Sequence, residues 1–154
     1  MRITSLLFII VTALLYSCNS KKGIKKEDKL DLMGTWKLVS ATVIQEKDTS
    51  VTDFTTGQEM IKIINETHFA FLRHDLNHGK DSTAIYAAGG GSYTVNGNIY
   101  TENLEYFNNR DWEGHSFDLE YRIEGDTLYT TAIEKIEKLN VNHLNIEKFV
   151  RISK

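Results

Sequence analysis

Apolar and polar residues alternate with a period of two through most of the chain beyond residue 30, and this sets the elements. From Trp36 the alternation is Trp36, Leu38, Ser40 and Thr42 against Lys37, Val39, Ala41 and Val43, which predicts a strand. Gln45 to Gln58 is polar and predicts a loop with a short strand around Val51 to Phe54. Met60 to Ile64 and His68 to His74 predict two strands around a turn at Asn65-Glu66-Thr67, and Asp75 to Ser82 is a polar loop. Thr83 to Ala88 then leads through Gly89, Gly90 and Gly91 into a hairpin with its turn at Asn96-Gly97. On the returning strand Tyr100, Glu102, Leu104 and Tyr106 share one face.

Asn108 to Gly114 predicts a second loop, and in His115 to Ile123 the apolar Phe117, Leu119, Tyr121 and Ile123 oppose a polar face. Glu124-Gly125-Asp126 turns the chain into a strand over Thr127 to Ile133. Glu134 to Leu144 fits two descriptions, since Ile136 and Leu139 have helical spacing while 140–145 is turn-rich. Ile146 to Ile152 predicts the closing strand. About eight short antiparallel strands with tight turns and almost no helix imply an all-β barrel or sandwich.

With 154 residues the chain has room for one domain, and 41% hydrophobic with 25% charged residues argues against both disorder and a polytopic membrane protein. A net charge of −3 offers no electrostatic basis for binding nucleic acid. The single cysteine, Cys18, cannot form an internal disulfide or a thiolate metal cluster. It follows Arg2, an apolar run from Leu6 to Leu15, and Leu15-Tyr16-Ser17. This pattern resembles a bacterial lipoprotein signal, with cleavage before a lipid-modified Cys18; the apolar run is too short for the roughly twenty residues of a membrane span. The expected organisation is a signal segment 1–17, a basic tether 18–29 and a folded domain 30–154. The expected location is the bacterial cell envelope, with the chain held to a membrane through lipid on Cys18, on the periplasmic or outer face.

Gly34-Thr35-Trp36 resembles the Gly-x-Trp signature of lipocalins. Gly89-Gly-Gly-Ser-Tyr-Thr-Val-x-Gly-Asn-x-Tyr-Thr-Glu102, Glu105-Tyr106 and Ile123-Glu-Gly-Asp-Thr-Leu-Tyr129 look like the bacterial lipocalin-like lipoprotein domain family, and Lys62 to Phe69 is similar to its second and third strands. The resemblance spans Leu30 to Ser153. It implies an antiparallel up-and-down β-barrel in which Gly34 and Trp36 close the base and a basic residue of the last strand, here Arg151, covers the indole. The segment Glu134 to Asn145 is longer than the family pattern, which leaves the register of Ile146 to Ile152 open.

An eight-stranded barrel holds either packed side chains or one small ligand. If Tyr100, Glu102 and Tyr106 face inward with Phe69, Phe71, Arg73 and Tyr93, they form an aromatic-walled pocket in which Arg73 is the counter-charge of Glu102. The alternative is a solid aromatic core with Glu102 and Arg73 in solvent. His74-Asp75-Leu76-Asn77-His78 lacks helical spacing, and Asp75 to Asp81 lacks the glycine and glutamate of a calcium loop, so a polar turn is expected and no metal. The glycine run has no following lysine or helix to make a phosphate loop; a bulge or barrel corner is expected. No nucleophile motif occurs, and Glu102 and Glu105 point to opposite faces, so neither catalysis nor a cofactor is expected. The expected role is a membrane-anchored binding protein for a small apolar or amphipathic molecule. The alternative is an envelope interaction module acting through loops Thr49 to Gly57 and Asn108 to Gly114, and the sequence fixes no oligomeric state.

Overall fold

A computed structural model describes residues 31–153. The expected signal segment, lipid-modified Cys18 and tether lie outside the described residues. The strands are β1 (Gly34–Gln45), β2 (Asp48–Asp53), β3 (Gln58–Ile64), β4 (His68–Asp75) and β5 (Tyr86–Asn96). They continue with β6 (Ile99–Leu104), β7 (Tyr106–Phe107), β8 (His115–Glu124), β9 (Thr127–Ile136) and β10 (Val141–Ser153). All pairings are antiparallel, and β10 returns to β1, closing an up-and-down barrel of eight strands from β1, β3, β4, β5, β6, β8, β9 and β10. Closure removes the unpaired edges that these eight strands would present in an open sheet, while β2 pairs with β1 alone.

Turn chemistry sets the register. Glu124 pairs with Thr127 across Gly125, which has φ 60°, and Gln45 pairs with Asp48 across Glu46, which has φ 56°. In the central hairpin Asn96 pairs with Ile99, so the two loop residues are Gly97 and Asn98, one position later than the sequence suggests. Of these only Gly97 has positive φ, 61°, as a turn with glycine in the first central position requires. The ambiguous segment resolves as strand to Ile136, a single 3₁₀ turn over Glu137–Leu139 ending in left-handed Asn140, and strand again from Val141. The closing strand is therefore longer than Ile146 to Ile152 and begins five residues earlier.

Two irregularities re-aim side chains. A bulge between Leu38 and Ser40 switches the inward phase of β1, so that Leu38 is followed inward by Ala41 and Val43. β1 then exchanges β3 for β2 as its neighbour, with the Phe54 amide donating to the Val39 carbonyl at 2.9 Å. The second break lies at Glu105, between β6 and β7, opposite Gly91. A Cβ on Gly91 would lie 1.9 Å from the Asn103 carbonyl oxygen, so only glycine permits this close approach.

One end of the barrel is solid. Trp36, Ile64, Phe69, Tyr93, Tyr100 and Phe149 are buried there with Leu32, and the Trp36 indole donates to the Leu32 carbonyl at 2.8 Å. The Arg151 guanidinium lies 3.9 Å from the Trp36 ring. It also donates to the Met33 and Asp31 carbonyls, at 2.6 Å each. One cation thus covers the indole and ties down the segment leading into β1.

Candidate ligand-binding site

The other end is hollow. A cavity of about 380 Å³ opens there, within the ordinary range for small-ligand sites of roughly 300–1,000 Å³. Its apolar wall includes Met60, Phe71, Leu104, Phe107, Trp112 and Phe117. Phe71, Phe107 and Trp112 form a chain of edge-on contacts, with centroids 5.2 Å apart for the first pair and 6.3 Å for the second, and Trp112 continues to Phe117 at 6.0 Å. Gly89 makes room for this wall, because a Cβ there would sit 2.6 Å from the Phe71 ring.

Polar side chains occupy the boundary between the aromatic floor and the cavity. Lys62, 3% exposed, projects from β3 and donates to Glu102 on β6 at 2.7 Å. Its ammonium also lies 5.8 Å from the Phe69 ring centroid and 5.4 Å from that of Phe149. Burial works to lower its pKa, but the Glu102 and Glu147 carboxylates outweigh this and hold it above the ordinary lysine value. Glu147 on β10 accepts from the Thr130 hydroxyl at 3.3 Å. Burial raises its pKa first, and Glu102 and Glu134 add to the rise, against the opposing pull of Lys62. Towards the mouth, Glu134 is held by His143 Nε2 and by the Asn145 amide, both at 2.9 Å.

The anticipated site residues separate into three groups. Phe71, Arg73 and Glu102 line the cavity. Phe69, Tyr93 and Tyr100 are instead buried in the floor, where Tyr93 packs edge-on against Tyr100 at 5.1 Å and donates to the Asn65 carbonyl at 2.7 Å. Tyr106 is 68% exposed and faces outward, because the break at Glu105 shifts the phase and turns Phe107 inward in its place. Arg73 is not the counter-charge of Glu102. It donates to Gln58 at 2.9 and 2.6 Å and stacks on Phe54 at 4.9 Å, while Lys62 takes the role expected of it.

Lys62, Glu134, His143, Asn145 and Glu147 were not foreseen as site residues. Their signal is period-two spacing: 143, 145, 147, 149 and 151 form one face of β10, and 130, 132, 134 and 136 one face of β9. The loop after β4 is a polar turn. The buried Asp75 carboxylate accepts from the Gly79 amide at 2.8 Å and the Ile85 amide at 3.1 Å, which lowers its pKa. Among the described residues no three His, Cys, Asp or Glu side chains converge as metal ligands. No family model, curated protein or solved structure matches the chain.

Proposed function

We propose that this protein is a small-molecule carrier, held to a bacterial envelope membrane through lipid on Cys18, that takes one apolar or amphipathic ligand into the open half of its barrel. The observation that carries the proposal is the cavity, whose aromatic wall gives apolar burial and whose few polar groups give orientation. A cavity of this size also weighs against an interaction module with a filled barrel. The anchoring part rests on the Arg2, Leu6 to Leu15 and Cys18 pattern.

The test is a fluorescence titration with Nile red, a neutral dye whose emission rises in apolar surroundings. Saturable binding is expected, with one dye per chain. Ala41→Trp, which projects a large ring into the cavity from β1, should weaken it about tenfold or more. Absence of saturable binding, or dye affinity indifferent to Ala41→Trp in a folded variant, would overturn the proposal. Release of the chain from membranes by Cys18→Ala tests the anchor separately.

A further inference from the structure

Two cations line the cavity, Lys62 and Arg73. Lys62 is paired with Glu102 at 2.7 Å, whereas Arg73 has no carboxylate against it among the described residues. The inward face of β4 climbs from Phe69 in the floor through Phe71 in the aromatic wall to Arg73 at the rim, in steps of roughly 7 Å.

At the rim the guanidinium is held in place but not neutralised. Gln58 Oε1 accepts from Nε at 2.9 Å and from Nη2 at 2.6 Å, and the Phe54 ring centroid lies 4.9 Å from the guanidinium carbon. These contacts take one edge and one face of the fork. A guanidinium has five N–H donors, so two on Nη1 and one on Nη2 remain, and they form an edge that matches a carboxylate. Burial lowers the Arg73 pKa and no neighbouring acid opposes this, yet an arginine keeps its charge.

The cavity's acids are engaged elsewhere. Glu102 is bound to Lys62, and Glu134 stands against His143 at 2.9 Å. Burial favours the neutral form of Glu147, and Lys62 offsets its charged form. Position separates them as well. β9, which carries Glu134, lies four strands from β4 in either direction round the eight-stranded ring, and β10, which carries Glu147, is its neighbour. On the side of Arg73 the wall is aromatic, with Phe71 and Phe107 in edge-on contact at 5.2 Å. A cationic head would meet an uncompensated like charge at this rim, and a neutral head would leave the fork without its counter-ion.

Resting on the small-molecule proposal above, we infer that the ligand is an anionic amphiphile of the carboxylate class, whose head is gripped by the open edge of Arg73 at the cavity mouth and whose apolar body descends along Phe71, Phe107, Trp112 and Phe117. Gln58 and Phe54 act as positioning residues that orient the guanidinium before the ligand arrives. A charged, two-pronged contact of this kind favours such a head over a neutral analogue by about tenfold.

The experiment displaces Nile red from the full chain with octanoate, octanol and octylammonium, which share a tail length and differ in head charge. Octanoate is expected to displace at concentrations about tenfold lower than octanol, with octylammonium weakest. In Arg73→Gln the ratio of octanoate to octanol affinity should fall toward unity. Dye binding with octanol or octylammonium equal to or better than octanoate would overturn the anionic head while leaving a ligand pocket. Dye that does not bind at all would overturn the pocket itself and this inference with it. An undiminished ratio in Arg73→Gln would overturn the assigned position of the head. Should that variant fail to fold, Arg73→Lys takes its place: one ammonium cannot reproduce the forked contact, so the ratio should fall part of the way, and an unchanged ratio would overturn the assignment.

Discussion

Removing Lys62 exposes the energetics of the barrel interior most sharply. The Lys62→Met substitution keeps an unbranched side chain of similar length but deletes the ammonium that faces Glu102 at 2.7 Å and offsets Glu147. Lys62 is only 3% exposed, so water cannot take over the vacated role. Breaking a buried ion pair from one side costs about 3–5 kcal/mol, because the partner charge stays behind uncompensated. Replacing both partners costs far less, so Lys62→Met combined with Glu102→Gln should recover to within about 1–2 kcal/mol of the native chain. Urea unfolding followed by tryptophan emission measures both, since Trp36 lies in the floor and Trp112 in the cavity wall. The single variant should also regain stability as pH falls, because its unpaired carboxyls then protonate. A Lys62→Met loss below about 1 kcal/mol, or a double variant whose losses simply add, would refute the claim that this pair is buried and coupled.

Other consequences follow from single contacts. Glu147 faces Lys62, Glu102, Glu134 and Thr130, and its raised pKa means that the folded state holds the proton more tightly than the unfolded one. Its contribution to stability is therefore fully present below the ordinary glutamate pKa and lost as pH rises through the folded value. Glu147→Gln should flatten the decline in stability seen by urea unfolding as pH rises above the ordinary glutamate value and exceed the native chain at the upper end. Arg151→Ala deletes the cation over Trp36 and two bonds to the Asp31 and Met33 carbonyls, with an expected loss of about 2–4 kcal/mol by the same assay. Arg151→Lys should recover only part of it, since one ammonium cannot reproduce the forked contact. Gly91→Ala would place its Cβ 1.9 Å from a backbone oxygen and should cost about 3 kcal/mol or more, or abolish soluble expression.

Strand positions were legible because alternation survives wherever a strand has one wet and one buried face. Phe117, Leu119, Tyr121 and Ile123 on β8 illustrate this. The pairing of Trp36 with Arg151 was legible only through the family resemblance, as nothing local links residues so far apart in sequence. What failed did so at phase changes. The bulge at Val39 and the break at Glu105 each insert one residue, and the residue types at these positions carry no mark of it. Tyr106 was consequently placed inside and Phe107 missed.

The interior acids were hidden for a different reason. On β10 the inward positions include His143, Asn145 and Glu147, while Leu144 and Ile146 face the other way. A rule that assigns apolar residues to the core inverts such a strand, and only the closure of the barrel reveals it. Lys62 was hidden likewise, between the apolar Met60 and Ile64 on an inward face.

The most direct test of a ligand held in the open half of the barrel is the methyl spectrum of the chain labelled at methionine. Met60 lines the cavity, whereas Met33 sits at the closed end, where its carbonyl binds Arg151. Saturation with Nile red should move the Met60 signal, assigned by its loss in Met60→Leu, and leave that of Met33 in place. A saturable ligand that moves Met33 alone, or neither signal, would place binding outside the cavity and contradict the account.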